Sequence, residues 1–297
     1  MGFLWALSSI RTPFLDAVFG IVTRFGEELI AIVVMCAIYW CIDKRLAYGI
    51  GISYFISGIF VQGMKIIFRV ARPWLLDPLF SPVESAIEGA TGYSFPSGHT
   101  QSATALFGTL GLSSKKRWWM GVLYFMIAIL VGLSRMYLGV HTPSDVLTGF
   151  FLTLMISFVT VKFLLRDNTT VRQNLIFMIV LVLIATGVII LALSLYFRGN
   201  ITEVYVSDCL KAAGAAVGFA VGMFFERSFI NFSVTTKKLW MQPAKCLAGI
   251  AGVLLIKEGL KLIVGTGLLI DAVRYGLMLL WISAIFPLVI NKLFAKK

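Results

Sequence analysis

Long apolar stretches organise the chain, and its charges fall in the gaps between them. About 20 apolar residues cross a bilayer as a helix. Stretches near 28–42, 46–68, 98–113, 118–133, 144–165, 174–197, 209–230, 246–265 and 273–291 read as such spans. Segment 3–24 is apolar but interrupted by Arg11, Pro13, Asp16 and Arg24, the pattern of an interfacial helix or a weak first span. Arg11 and Asp16 also speak against a cleavable signal. The pattern predicts an all-α fold, a polytopic transmembrane helical bundle.

The gaps divide into two sets. One carries Lys44, Arg45, Lys115, Lys116, Arg117, Arg166, Arg172, Lys237, Lys238, Lys292, Lys296 and Lys297. The other comprises loop 69–97, turn 134–143 and loop 198–208, and holds Asp77, Glu84, Glu88, Glu203 and Asp208. Basic loops stay cytoplasmic, which turns the second set outward.

Composition agrees. Of 297 residues, 59% are apolar and 13% charged, against about 25% charged in a soluble domain. This excludes a disordered chain, a disulfide scaffold and an ordinary soluble enzyme. The net charge of +12 would suggest nucleic acid in a soluble protein. Here it is the expected excess of cytoplasmic Lys and Arg, and no nucleic-acid motif accompanies it. Cys36, Cys41, Cys209 and Cys246 form no CxxC pair and lie in or beside apolar stretches, so they read as buried or lipid-facing thiols.

Ionisable groups at a membrane edge are functional candidates. Three clusters share the outward side. In the first, Lys65 and Arg72 lie seven residues apart, close to two helical turns, with Pro73 ending the helix. Two cations on one face suit an anion with several oxygens, although snorkelling at a membrane edge explains them as well. The second is Phe95-Pro96-Ser97-Gly98-His99, which opens an apolar helix. Its free N–H groups and dipole favour an anion, and Gly98 admits a ligand to the backbone. In the third, Ser134-Arg135 is followed by His141-Thr142-Pro143-Ser144-Asp145. Thr142 fits an N-cap, Pro143 the first helical position and Asp145 the third. A carboxylate there is in reach of His141, where it would fix the ring tautomer and leave the other nitrogen free to attack.

His99 and His141 are the two histidines of the whole chain. Two imidazoles and three cations on one side suggest phosphoryl transfer with acid–base help. No carboxylate cluster suited to magnesium accompanies them, so neither a metal nor another cofactor is expected.

The three motifs, K-x6-R-P, P-S-G-H and S-R-x5-H-x3-D in this order, resemble those of the type 2 phosphatidic acid phosphatase (PAP2) superfamily. All match in full, over about residues 28–165. The resemblance implies a core of about six helices, and the apolar spans beyond the composition shift near 198–208 read as accessory transmembrane helices. It implies that His141 attacks phosphorus, Asp145 orients His141, and His99 protonates the leaving oxygen. Lys65, Arg72, Ser97, Gly98 and Arg135 would hold the phosphate, without a metal. The division expected is an N-terminal interfacial helix or weak span at 1–27, a catalytic membrane core at 28–197 and accessory helices at 198–297.

A lipid phosphate or pyrophosphate, undecaprenyl pyrophosphate first, is the substrate class this reading favours, in a bacterial plasma membrane with the site on the extracytoplasmic side. The alternatives are a lipid-binding or lipid-moving protein that retains the pocket, and a phosphotransferase with a hydroxyl acceptor. No nucleic-acid partner is expected, and the oligomeric state stays open. In the C-terminal part, Gly218 and Gly222 form a GxxxG suited to close helix packing. Glu258 and Lys261 are spaced for an i,i+3 contact inside an apolar stretch.

Overall fold

A computed structural model of the protein describes residues 1–165, 169–236, 238 and 240–293. Arg166, Lys237, Lys296 and Lys297, which entered the charge argument, lie outside them. The described residues form helices and no strand. Six helical stretches are long and apolar enough to cross a membrane: Lys44–Leu76, whose long helix ends at Phe68, Trp118–Tyr137, Pro143–Leu164, Val171–Phe197, Glu203–Ile230 and Leu268–Leu293. With this composition, the protein is an integral membrane protein.

Three further stretches expected to span fall short of that standard. Helix α3 (Glu28–Cys41) has 14 residues. The 98–113 stretch is divided into α6 (Gly98–Ala103) and α7 (Thr109–Ser113) by a π turn. The stretch 241–264 is helical, as α12 (Met241–Leu254), a π turn and α13 (Leu260–Val264), but carries Lys245, Lys257, Glu258 and Lys261. Segment 3–24 breaks into α1 (Gly2–Ser8) and α2 (Pro13–Arg24), because Thr12 caps α2 and Pro13 opens it. With 12 residues, α2 is about 18 Å long at 1.5 Å per residue. The hydrocarbon layer is about 30 Å thick.

The chain divides into two compact units, residues 1–32 with 52–162, and residues 33–51 with 163–297. In the first, α6 is enclosed by α8 (Trp118–Tyr137) and α9 (Pro143–Val159). Glycine permits the close approach. A Cβ on Gly132 would lie 2.8 Å from Val146, and one on Gly149 2.9 Å from the Ser97 carbonyl. Gln101 ties α6 to α4 (Lys44–Phe68), donating to Tyr54 O at 3.1 Å and Ser57 Oγ at 2.8 Å.

In the second unit, α11 (Glu203–Phe225) packs on α14 (Leu268–Leu280) backbone to backbone. A Cβ on Gly214 or Gly218 would collide with the carbonyl of Ala272 or Gly276, and one on Gly222 with Ser283. The small-residue stripe is therefore a packing seam. Buried Glu226 accepts from Lys44 Nζ at 3.1 Å, from the Phe232 N–H at 3.1 Å and from the Tyr48 hydroxyl. Glu258 meets Lys257 at 3.9 Å, where the spacing suggested Lys261, and both side chains are exposed. All four cysteines are free thiols.

Candidate active site

The site lies wholly in the first unit. Helix α4 ends at Phe68, because Arg69 takes a left-handed backbone, φ 50°. Arg72 is extended, as the proline after it demands, and precedes the short helix α5 (Pro73–Leu76). Lys65 and Arg72 thus do not share one helix face, as their spacing suggested. The chain turns between them, and Arg72 arrives at the site from the loop.

Arg72 is almost fully buried and tightly held. It donates from Nε to Gly92 O at 3.0 Å, from Nη2 to Thr91 O at 2.6 Å and from Nη1 to Val140 O at 2.9 Å. Lys65 Nζ donates to Tyr93 O at 2.9 Å. Residues 91–93 therefore form a strap whose carbonyls fix both cations.

His141 lies 2.9 Å from Arg72 Nη1 through Nε2. A guanidinium cannot accept, so Nε2 accepts and the ring proton sits on Nδ1. Nδ1 faces Asp145 Oδ2 at 3.5 Å and Ser94 Oγ at 3.5 Å. The same Oδ2 accepts from Ser94 Oγ at 2.6 Å and from the Thr142 N–H at 2.8 Å. The capping box read from the sequence is present, with Thr142 as N-cap and Pro143 opening the helix. Ser94 is the residue that sequence reasoning missed. It stands two residues before Pro96, outside the P-S-G-H string, and nothing in its immediate surroundings marks it.

His141 ionises well below the usual imidazole value. Burial is the largest cause, followed by the positive fields of Arg72, Arg135 and Lys65, while a hydrogen bond to the Ser94 main chain works the other way. The ring is thus held neutral, with a lone pair on Nε2.

Ser97 caps α6 through its side chain and donates its N–H to Asp145 O at 3.0 Å, which ties the second motif to the third. Gly98 borders open space, with nothing within 4 Å of where a Cβ would stand. His99 is half-buried in the first turn, within the electrostatic reach of Arg135, His141, Lys65 and Arg72. Arg135 is 2% exposed and donates from Nη1 to Thr23 Oγ1 at 2.8 Å. Its Nε and Nη2 are buried with no hydrogen-bond partner among the described residues. Two donor nitrogens left so call for an acceptor, and an oxyanion is the acceptor that suits a guanidinium. Lys65, Arg72, His99, Arg135 and His141 thus lie within electrostatic reach of one another, and Asp145 contacts both His141 and Ser97. Among the described residues, no three His, Cys, Asp or Glu side chains could hold a metal ion together. Cations and N–H groups are what the site offers to an anion.

A family model described as PAP2 superfamily matches residues 43–169, and one described as PAP2 superfamily phosphatase, transmembrane extension, matches residues 210–297. The chain belongs to the PAP2 superfamily. It is 31% identical over 47% of its length to an undecaprenyl-diphosphatase of Sulfolobus acidocaldarius, 66% of which is covered. It is 28% identical over 69% of its length to sphingosine-1-phosphate phosphatase 1 of Mus musculus, with 49% of that protein covered. It is 32% identical over 33% of its length to phosphatidylglycerophosphatase B of Bacillus subtilis, with 52% covered. The chain thus spans about half to two thirds of the length of these relatives.

Proposed function

We propose that the protein is a metal-independent membrane phosphatase that hydrolyses a lipid phosphate or pyrophosphate through a phosphohistidine. The observation that carries this is the state of His141: buried, neutral, protonated on Nδ1 and presenting Nε2 beside Arg72. In the first step, Nε2 forms a bond to phosphorus and the bond from phosphorus to the lipid oxygen breaks. His99 delivers a proton to that leaving oxygen. Asp145 and Ser94 take up the positive charge growing at Nδ1–H. In the second step, water attacks phosphorus, the N–P bond breaks, and His99 removes the water proton. Arg72, Arg135, Lys65, Ser97 and the N–H of Gly98 receive the equatorial oxygens, where charge spreads in the transition state.

The relatives' names support a lipid substrate and differ on which one: an undecaprenyl diphosphate, a sphingosine phosphate or a phosphatidylglycerophosphate. Undecaprenyl pyrophosphate is the first candidate, handled on the extracytoplasmic side of a bacterial plasma membrane. The test is phosphate release by the purified protein in detergent with EDTA present. The panel holds undecaprenyl pyrophosphate, phosphatidic acid, phosphatidylglycerol phosphate, sphingosine phosphate and glucose 6-phosphate, each beside His141→Ala. Release that survives EDTA and is lost in the variant supports the proposal. No release from any lipid by folded protein would overturn it in favour of a lipid-binding protein, and release that grows with an added hydroxyl acceptor would point to phosphotransfer.

A further inference from the structure

The segment ahead of residue 43 lies outside the match to the PAP2 superfamily model, yet it reaches the candidate site at two points. The first is the bond from Arg135 Nη1 to Thr23 Oγ1, 2.8 Å and buried. The second is Gly26, where a Cβ would stand 2.7 Å from the His99 carbonyl and 2.8 Å from Val131. Only glycine lets the turn after α2 lie against the backbone of His99.

The helix is built for this. Thr12, Asp16, Phe19 and Thr23 recur at i, i+4, i+7 and i+11, one face of a helix. Every one of them meets the end of α8. The Tyr137 hydroxyl lies 3.4 Å from Thr12 N and donates to Asp16 Oδ1 at 2.8 Å, and its ring stacks on Phe19 at 4.2 Å. Thr23 then takes Arg135, two residues earlier on α8. The opposite face, Phe14, Val18, Ile21 and Phe25, is exposed and apolar. Such a helix lies along a membrane interface with that face in the lipid.

We infer that α2 is a wall of the phosphate site and that Thr23 is a positioning residue, fixing Arg135 so that its Nε and Nη2 face the phosphoryl oxygens. This rests on the phosphate-site reading above. A guanidinium has a rigid fork, so holding one nitrogen sets the direction of the others. Thr23 accepts from Nη1 and leaves Nε and Nη2 to the ligand. With Thr23 removed, the fork turns to find another acceptor, and the N–H groups of Nε and Nη2 leave the ligand.

The test uses the full chain in detergent and four proteins: wild type, Thr23→Val, Arg135→Ala and the double variant, with Thr23→Ser as the conservative control. The readouts are the affinity for inorganic phosphate by calorimetry and kcat/KM on the lipid that wild type prefers. Thr23→Val is expected to weaken phosphate about 10- to 100-fold, the range for losing a hydrogen bond to a charged group. Thr23→Ser keeps the oxygen and should stay within about threefold of wild type on the same reasoning. In the Arg135→Ala background, Thr23→Val should add nothing, since it acts through the group already removed. Thermal unfolding of each variant identifies any that fail to fold. Wild-type affinity in a folded Thr23→Val protein, or a loss that adds fully to that of Arg135→Ala, would overturn the inference. So would failure of the wild type to bind phosphate. Thr23-dependent phosphate binding without turnover would retain the inference and remove the hydrolase reading.

Discussion

Arg72 Nη1 donates to Nε2 of His141, the nitrogen that attacks phosphorus in the proposed reaction, across 2.9 Å. The pairing fixes the tautomer and also masks the nucleophile. In the proposed reaction an arriving phosphoryl group would offer oxygens to the same guanidinium, so that Nη1 would move its hydrogen bond from the imidazole to the substrate and expose the lone pair. Binding and activation thus become one event.

The acid limb of the reaction follows from the charge around this ring. Burial, then Arg72, Arg135 and Lys65, hold His141 below its usual value of about 6.5. The limb of the free enzyme's kcat/KM profile that reports protonation of His141 should therefore lie below pH 6.5. Arg72→Ala or Arg135→Ala removes one of the opposing charges and should move that limb upward, whatever the cost in rate. The folding sign is the same. The folded state resists protonation, so its stability falls as pH drops from the unfolded value towards the lower folded one. A wild-type limb at or above pH 6.5, assigned to His141 by its chemical shift, would contradict this.

Ser94 tests the support on the other side of the ring. Its hydroxyl proton is committed to Asp145 Oδ2 at 2.6 Å, and its oxygen stands 3.5 Å from His141 Nδ1. Ser94→Ala should lower kcat about 10- to 100-fold, as expected for a hydrogen bond to a carboxylate, with KM nearly unchanged. Asp145→Asn should be the more severe, because it removes the charge that stabilises the imidazolium. A Ser94→Ala enzyme within twofold of wild type would remove Ser94 from the account.

The seam between α11 and α14 predicts a purely structural effect. Gly218 faces the Gly276 carbonyl with no room for a methyl group. Gly218→Leu should separate the helices and destabilise the protein by about 1–3 kcal/mol or more, the range for overpacking. It would be read as a lower unfolding temperature in detergent, while Gly187→Ala, whose Cβ would meet nothing within 4 Å, should not lower it.

The class of fold and the three motifs were legible because membrane helices declare themselves by length and because the site residues sit at helix ends with recognisable caps. Thr142 and Asp145 are the clearest case, since the capping box read from their spacing is the one formed. What stayed hidden depends on contacts distant in sequence. Thr23 meets Arg135 across 112 positions, and Ser94 meets Asp145 across 51. Thr23 lies on a regular helical face, but nothing local names Arg135 as its partner, and nothing local marks Ser94. The break at Arg69 was equally silent, because a left-handed residue other than glycine leaves no mark, and the even spacing of Lys65 and Arg72 suggested one helix face instead.

The central claim is that His141 bears the phosphoryl group. The direct measurement is a rapid-quench experiment with lipid substrate labelled in the cleaved phosphate, EDTA present, stopped in alkali, where phosphohistidine survives. Peptide mapping then locates the label. The account predicts label on His141, none in His141→Ala, and more in His99→Ala if that variant still forms the intermediate, because water activation is slowed. Phosphate release at undiminished rate by His141→Ala would contradict it.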